Sequence, residues 1–548
     1  MLACLVGLLA IPVGWLLTAV EPAQMSDSYV EAVAEEPPLL NPVLAPYTLA
    51  GQDLLPLVFA ALIRADSVGS LEPDLADSWE VSPDGRVYEF RLRPGLAWHD
   101  GVRLDAHDVV FTARLIQAPD HQGSPELAAL WRGVSVEAID DRTVRFSLPE
   151  RLASFPEHLT LGILPRHLLE GVPPGALPFH PFNRQPVGSG PYRVTTLDPQ
   201  RAVLERYLDY HGPAPRLRQI ELRFFADRSA AMEALVAGRV DGLGHLRADE
   251  VERAAASPDL VVYSVPERSK VATLTLNVQT PLFRERAVRL ALARAISREA
   301  LVLRALRGQG EPAYGPIPIQ SWAYARAPGA AEYDPGQAAA LLDQAGWALG
   351  PSAVRERDGQ SLSFTVLTAD TEERVGVASE LAGQLGRVGV AMRVQALPAD
   401  ELTENYLEPR RFEAALVGQW AMGSDPDVYP QWHSSQAARL GGNYAGFSDP
   451  DVDRWLEAGR QELALEDRRN AYLHFQARWA EEQPSLILYH PLYSFAIHKD
   501  VWGVSADPLP DSSWRLRDAA GWYRPLRPST VQRLRAVVGR LVFWQRPS

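Results

Sequence analysis

Apolar and polar positions alternate with a period of two over Val87-Tyr88-Glu89-Phe90-Arg91-Leu92, the spacing of a strand with one buried face. Pro83-Asp84-Gly85 just before it supplies a turn whose glycine accepts a positive φ, so residues 81–93 are predicted to form a hairpin. Trp98-His99-Asp100-Gly101 closes the next turn. A helix is expected to start at Asp105 and run towards Leu115, with Val109, Val110 and Phe111 on its apolar side, and residues 143–148 alternate as another strand. Strands at 192–197, 202–206 and 220–225 lead into helices at 229–237 and 248–256. Two β-rich runs follow, 260–265 and 271–277, separated by polar Glu267-Arg268-Ser269-Lys270. One long helix is expected over 284–306. Helix and strand then alternate through 338–345, 362–367, 374–388, 391–394 and 413–417, and helices at 451–463 and 467–482 precede a strand at 485–489. Such alternation predicts an α/β architecture.

The chain has 548 residues, enough for three or four folding units at roughly 150 residues each. Hydrophobic residues make up 46% and charged residues 22%, which excludes wholesale disorder and a polytopic membrane protein. The net charge is −14, so a nucleic acid would release little counterion on docking and is not an expected partner. One cysteine closes no intrachain disulfide and builds no Cys-based zinc or iron–sulfur site. The lysines are Lys270 and Lys499, neither following a glycine, so the phosphate cradle of a P-loop ATPase is absent.

From Leu2 to Val20 no residue is charged, and acidic Glu21, Asp27, Glu31, Glu35 and Glu36 follow, with the first arginine at Arg64. Nineteen apolar or small residues come close to the roughly 20 that cross a bilayer as a helix. Residues 1–24 are therefore expected to direct export, either as a signal anchor or as a signal cleaved near Ala19 to Ala23. Cys4 precedes the apolar run, which is the wrong order for a lipoprotein cysteine. At the other end, residues 528–548 form a basic amphipathic stretch with Arg533, Arg535, Arg540 and Arg546 among apolar positions. A membrane-surface contact and a helix packed on the body both fit that pattern.

Enzyme signatures fail. HExxH, GxSxG and a GxGxxG between strand and helix are all missing. In Gly188-Ser189-Gly190-Pro191 the proline removes a backbone N–H that an oxyanion hole would use. The twelve histidines show no clustered ligand spacing, so no metal and no cofactor is expected.

An ordered series of motifs points further. Leu40-Asn41-Pro42, the run from Pro73 to Ser82 (PDLADSWEVS), YEFRLRPGLAWHDG from Tyr88, and Asp105 to Phe111 (DAHDVVF) come first. Pro186 to Tyr192 (PVGSGPY), Gly238 to Asp241 (GRVD), Asn277 to Phe283 (NVQTPLF), Leu341 to Trp347 (LLDQAGW) and Trp420 to Asp427 follow in order. Over roughly Tyr29 to Gly503 the chain resembles the family 5 extracytoplasmic solute-binding proteins, the oligopeptide, dipeptide and nickel receptors of ABC importers. The resemblance implies a two-lobed α/β fold of the periplasmic-binding-protein type (class II), with an extra domain inserted in the first lobe. The expected division is 25–73 and 183–266 for the first lobe, 74–182 for the insert, 267–490 for the second lobe and 491–527 for the return to the first. Hinge crossings are expected near 265–274 and 489–497.

In peptide-binding members an aspartate three residues after the tryptophan pairs with the peptide's α-amine. Here the string is WAMGSDPD, so that position is Gly423, and Asp425 either substitutes for it or caps the next turn. By position, the resemblance places Glu36 and Pro37 on the first-lobe side of the cleft, Asn277 near the hinge, and Trp420, Met422, Gly423, Asp425, Tyr489 and His490 on the second-lobe side. The expected function is a non-catalytic, monomeric extracytoplasmic receptor for a peptide or similar small solute, delivering it to an ABC permease. An exported hydrolase and a sensory receptor without transport are the alternative classes.

Overall fold

The computed structural model describes residues 27–44, 48–66, 70–267, 270–326, 332–420, 425–438, 441–507 and 514–525. The expected export segment, 1–24, and the basic stretch, 528–548, lie outside these residues. Among the described residues no helix is long and apolar enough to cross a membrane.

A twelve-stranded mixed sheet runs through the molecule and is organised around one strand, Ser485–His498. Its first part, Ser485 to Tyr489, pairs antiparallel with Lys270–Leu276, which pairs in turn with Ala414–Trp420; Ser363–Ala369 and Ala391–Leu397 extend that side in parallel. Its last part, Leu492 to His498, pairs with Leu260–Pro266 and with Gly242–Leu243, and the sheet continues through Ser28–Val33, Gln219–Phe224, Arg201–Arg206 and Tyr192–Leu197. A separate four-stranded antiparallel sheet, in the order Ala76–Val81, Val87–Leu92, Thr143–Ser147, Ser135–Asp140, packs with the helix Ala106–Gln117. Asp105 caps that helix by accepting from the His107 N–H, and Asp108 accepts the Asp105 N–H in return, the two halves of a capping box.

Among the described residues the buried apolar side chains form five clusters, and the two largest belong to two different bodies. One continuous core joins Tyr29, Leu54 and Ile220 to Phe90, Trp98 and Phe146 of the smaller sheet and to Phe495 and Trp522 near the C-terminus. The inserted sheet therefore shares its core with the first lobe. A second core collects Leu274, Leu292, Phe364, Leu381, Leu416 and Leu488. The change of allegiance is abrupt: Val265 belongs to the first core while Ala272 belongs to the second, and Tyr489 to the second while Tyr493 belongs to the first. Two short crossings, between Val265 and Ala272 and between Tyr489 and Tyr493, thus connect bodies that do not share a core, the arrangement of a hinge.

Two predicted elements differ. The helix expected over 284–306 is three pieces, Pro281–Arg284, Arg286–Ala295 and Arg298–Ala305. Ile296 is extended, Ser297 caps the last piece, and Gln384 from the helix Glu372–Gly386 supplies the backbone of Ser297 with both an acceptor (2.7 Å) and a donor (3.2 Å). A distant amide side chain thereby replaces hydrogen bonds a continuous helix would have made internally. The strand expected over 485–489 runs on to His498, because its second part finds new partners across the hinge.

Candidate ligand-binding cleft

In open α/β sheets ligands bind beyond the carboxyl ends of the parallel strands, so strand direction locates the site. In the second lobe Ala414–Trp420 runs towards the hinge: its last residue is level with Lys270, whose carbonyl accepts from His490 Nδ1 at 2.8 Å. In the first lobe Ser28–Val33 runs parallel to Gly242–Leu243, and Ala32 and Leu243 share a row with Ala496. The chain beyond Val33 therefore proceeds level with Phe495 and Ser494, towards the same hinge. Glu36, exposed, and Pro37, half-buried, follow within four residues. These two strands come from opposite lobes, and both run towards the hinge.

The sequence-predicted residues divide into three groups. Met422 and Gly423 lie outside the described residues, and of Trp420 only the backbone, at the end of its strand, is described. Tyr489 and His490 are at the hinge and both are buried. The Tyr489 hydroxyl donates to Glu373 at 3.0 Å, and burial raises its pKa. His490 meets a carbonyl through Nδ1, so that nitrogen carries the proton, and burial lowers its pKa and keeps the ring neutral. Asn277 is a correction. Lys270–Leu276 starts at the hinge and runs away from it, so Asn277 lies seven residues off, roughly 20 Å at about 3.3 Å per residue. There its amide donates to the carbonyls of Arg410 and Phe412 and its oxygen accepts from Gln279 N–H, a set of bonds that fixes a loop at the far end of the sheet.

Asp425 fits neither expectation, ligand partner or turn cap. Its carboxylate lies inside the second lobe, 2.6 Å from Arg468 Nη2, with the two side chains 10% and 8% exposed. Burial pushes this carboxyl up and Arg468 works against that rise. Arg468 also donates from Nε to Gly459 O and lies over the Trp322 ring at 5.0 Å. Asp427 is bound by Arg460 Nε at 2.8 Å.

Three features at this edge had no sequence signal beyond the helix they border. A row of residues crosses four strands, Gly418, Ala272, Tyr489 and Pro312. Above it stand Glu373 and Arg374, in the first turn of the helix Glu372–Gly386 that Thr371 caps. A Cβ on Gly418 would fall 2.8 Å from Arg374 Nη2, so the guanidinium lies directly against this glycine. Away from the hinge the lobes also touch: Ala153 N–H donates to Arg460 O at 2.7 Å, and Arg151 Nη1 reaches Gln461 O at 3.4 Å.

The sequence's glycine turn with a serine is structural. Ser189 is buried and accepts from Ala60 N–H, and a Cβ on Gly188 or Gly190 would collide with the backbone of Leu57 and Val58. Among the described residues no cluster of three or more His, Cys, Asp or Glu stands ready for a metal ion.

Two α/β bodies with separate cores, joined by a β hinge and presenting strand ends to each other, define a two-lobed solute-binding receptor. The profile of the bacterial extracellular solute-binding proteins, family 5 (middle region), matches residues 70–439. The chain belongs to that family, whose members bind solutes for ABC importers and are not enzymes. It is 30% identical over 526 residues to protein XP55 of Streptomyces lividans, covering 93% of this chain and 90% of that one. It is 28% identical over 503 residues to the oligopeptide-binding protein AppA of Bacillus subtilis, covering 90% and 91%. The crystal structure of that AppA in complex with a nonapeptide superposes with a TM-score of 0.70 at 27% identity, over 91% of this chain and 98% of that one. NikZ from Campylobacter jejuni in complex with Ni(L-His) superposes with a TM-score of 0.73 at 26% identity, over 91% and 100%.

Proposed function

We propose that this receptor captures a peptide or peptide-like solute between its lobes, outside the cytoplasmic membrane, and presents the closed form to an ABC permease. The observation that carries the reading is the division into two cores linked by short β crossings with strand ends facing at the hinge. A solute touching both lobes binds the closed form better than the open one, and that difference drives closure. Glu36 and Pro37 would contact it from the first lobe, Trp420, Met422 and Gly423 from the second, with Tyr489 and His490 shaping the hinge wall. Asp425 is committed to Arg468 and is left out of this contact set. Residues 1–24 would place the protein outside the membrane, and it would act as a monomer. Likeness to AppA, solved with a nonapeptide, supports the peptide class. Mass spectrometry of solutes released from the purified protein tests the class directly, and small-angle scattering with and without that solute tests closure. A fall in radius of gyration at saturation is expected; an unchanged radius would replace the hinge by a rigid scaffold.

A further inference from the structure

Away from the hinge, the inserted domain reaches across to the second lobe. On its own side, Phe155 is fully buried beside Tyr88, with ring centroids 5.2 Å apart, and the Tyr88 hydroxyl donates to Leu152 O at 3.2 Å. Arg151 Nε donates to Asp84 O at 2.9 Å. Residues 151–155 are thereby braced on the hairpin of the insert, which shares its core with the first lobe. Facing them is the C-terminal end of the helix Pro450–Gln461, held by Val452 and Leu456 in a cluster that also contains Val271 and Ile487 of the second-lobe strands. The last four carbonyls of a helix lack a donor from the helix itself. Two of them find one in the other lobe: Arg460 O takes the Ala153 N–H at 2.7 Å, and Gln461 O takes Arg151 Nη1 at 3.4 Å. A guanidinium also suits the negative pole at this end of a helix. Beside these bonds the hairpin turn at Gly85 lies on Leu463, since a Cβ there would fall 3.0 Å from Leu463 Cδ1 and 2.9 Å from Arg151 Cγ. His158 stands close enough to Asp427 and Arg460 for their charges to act on it. Glu36, Pro37, Tyr489 and His490 take no part in this contact.

We infer that the insert latches the lobes: Arg151, Ala153 and Leu463 favour the closed form whatever solute lies in the cleft, and so position the two cleft walls without touching the ligand. The inference rests on the receptor reading above and adds to it what the lobes themselves contribute to closure. The two cores are separate and the crossings short, so any contact that bridges the lobes away from the hinge bears directly on the angle between them. Such a contact adds the same free energy to closure around every solute. It therefore raises affinity and leaves selectivity to the cleft residues.

The test uses the full chain with Cys4→Ser, freed of bound solute by unfolding and refolding. Spin labels at Ile139→Cys in the insert and Leu303→Cys in the second lobe, both exposed positions, report the distance between the lobes by double electron–electron resonance with no solute added. With the latch intact the spectrum should show a short and a long distance, the closed form making up at least about a fifth of the molecules. Arg151→Ala combined with Leu463→Asp should lower the closed-to-open ratio about tenfold, as for the loss of one or two hydrogen bonds and an apolar contact, with thermal unfolding unchanged. Leu465→Asp, at an exposed leucine two residues from the contact, should leave the ratio as it was. Should the double variant fail to fold, hydrogen exchange at the Ala153 amide decides, with exchange expected to quicken severalfold in Arg151→Ala. A long distance alone with the latch intact, a ratio unchanged in the double variant, an equal shift from Leu465→Asp, or unchanged exchange at Ala153 would each overturn the latch and leave the hinge standing. A short distance alone in every variant would remove the hinge as well.

Discussion

Two buried ion pairs, one in each lobe, use the same chemistry for different ends. In the first lobe Glu31 and Arg515 are each 2% exposed and joined by two bonds, Nη1 to Oε2 at 3.1 Å and Nη2 to Oε1 at 2.7 Å. Tyr29 adds its hydroxyl to Glu31, and the guanidinium lies over the Phe495 ring at 5.3 Å. Gly242 and Gly244 are required here, since a Cβ on Gly242 would meet the Tyr29 hydroxyl and one on Gly244 the Tyr493 hydroxyl. The pair ties the first described strand to the short helix Trp514–Arg517, and so joins segments nearly 500 residues apart in the chain. In the second lobe Asp425 and Arg468 are less buried and share one short bond, at the edge where the strand Ala414–Trp420 has just ended. The first pair staples a lobe. The second removes from the cleft a carboxylate that the sequence had offered to the ligand.

Breaking the staple should have the largest effect. Glu31→Gln keeps the shape and removes the charge, leaving Arg515 buried and uncompensated, for which a loss of about 3–5 kcal/mol is expected. The urea midpoint of the first-lobe transition measures it. Adding Arg515→Met should restore much of the loss, because an apolar pair avoids the desolvation of both ions. A loss under about 1 kcal/mol in Glu31→Gln would show that the joining of these two segments lies elsewhere.

A pH series sharpens the comparison, because the first lobe also holds a neutral, half-buried imidazole. His99 Nε2 donates to Gly190 O at 3.0 Å and Nδ1 accepts from Gly188 N–H at 3.2 Å, with the ring against Tyr207. Burial lowers its pKa from 6.5 to about 4. Between those values the unfolded chain binds the proton and the folded one does not, so stability falls as pH falls through this window. The full loss, reached below about pH 4, is roughly 3 kcal/mol at 1.36 kcal/mol per unit. Urea midpoints measured from pH 7.5 to 4 should therefore drop more steeply in wild type than in His99→Gln. Parallel profiles would assign the acid sensitivity to other groups.

The sequence carried the alternation of strands and helices, since period-two and period-3.6 patterns follow from which face is buried. It also offered a polar break between two β-rich runs, which falls where the buried core changes from the first cluster to the second. It carried less about the site, for a physical reason. Periodicity tells which face of a strand is buried and leaves open which end meets the partner lobe, so the pattern offered no check on the place the resemblance gave Asn277. Asp425 finds Arg468 43 residues on, and the helix break at Ile296 depends on Gln384 from another helix. Such partners are defined across space and leave no local pattern. Arg374 sat unnoticed inside a helix that the pattern had placed well, because nothing in a sequence tells that its guanidinium will lie against Gly418.

The smallest effect expected is also the one that bears on selectivity. Asp425→Asn removes one charge from a pair that is joined by a single short bond and partly supported by other contacts. Arg468 keeps Gly459 O and the Trp322 face, and the new amide oxygen can still accept from it. About 1–2 kcal/mol of stability should be lost, less than for Glu31→Gln, because Arg468 is less buried and better supported. Calorimetry with trialanine and its N-acetyl form then tells what Asp425 faces. A carboxylate locked on Arg468 has nothing to give a ligand ammonium, so the substitution should change both affinities by the same factor, about threefold at most. A selective loss of the free-amino peptide would mean that the pair opens when a ligand arrives, with Arg468 released to solvent or to the ligand itself. In that event the two ion pairs would differ in kind, the first a fixed staple and the second a switch whose closed position is the one seen here.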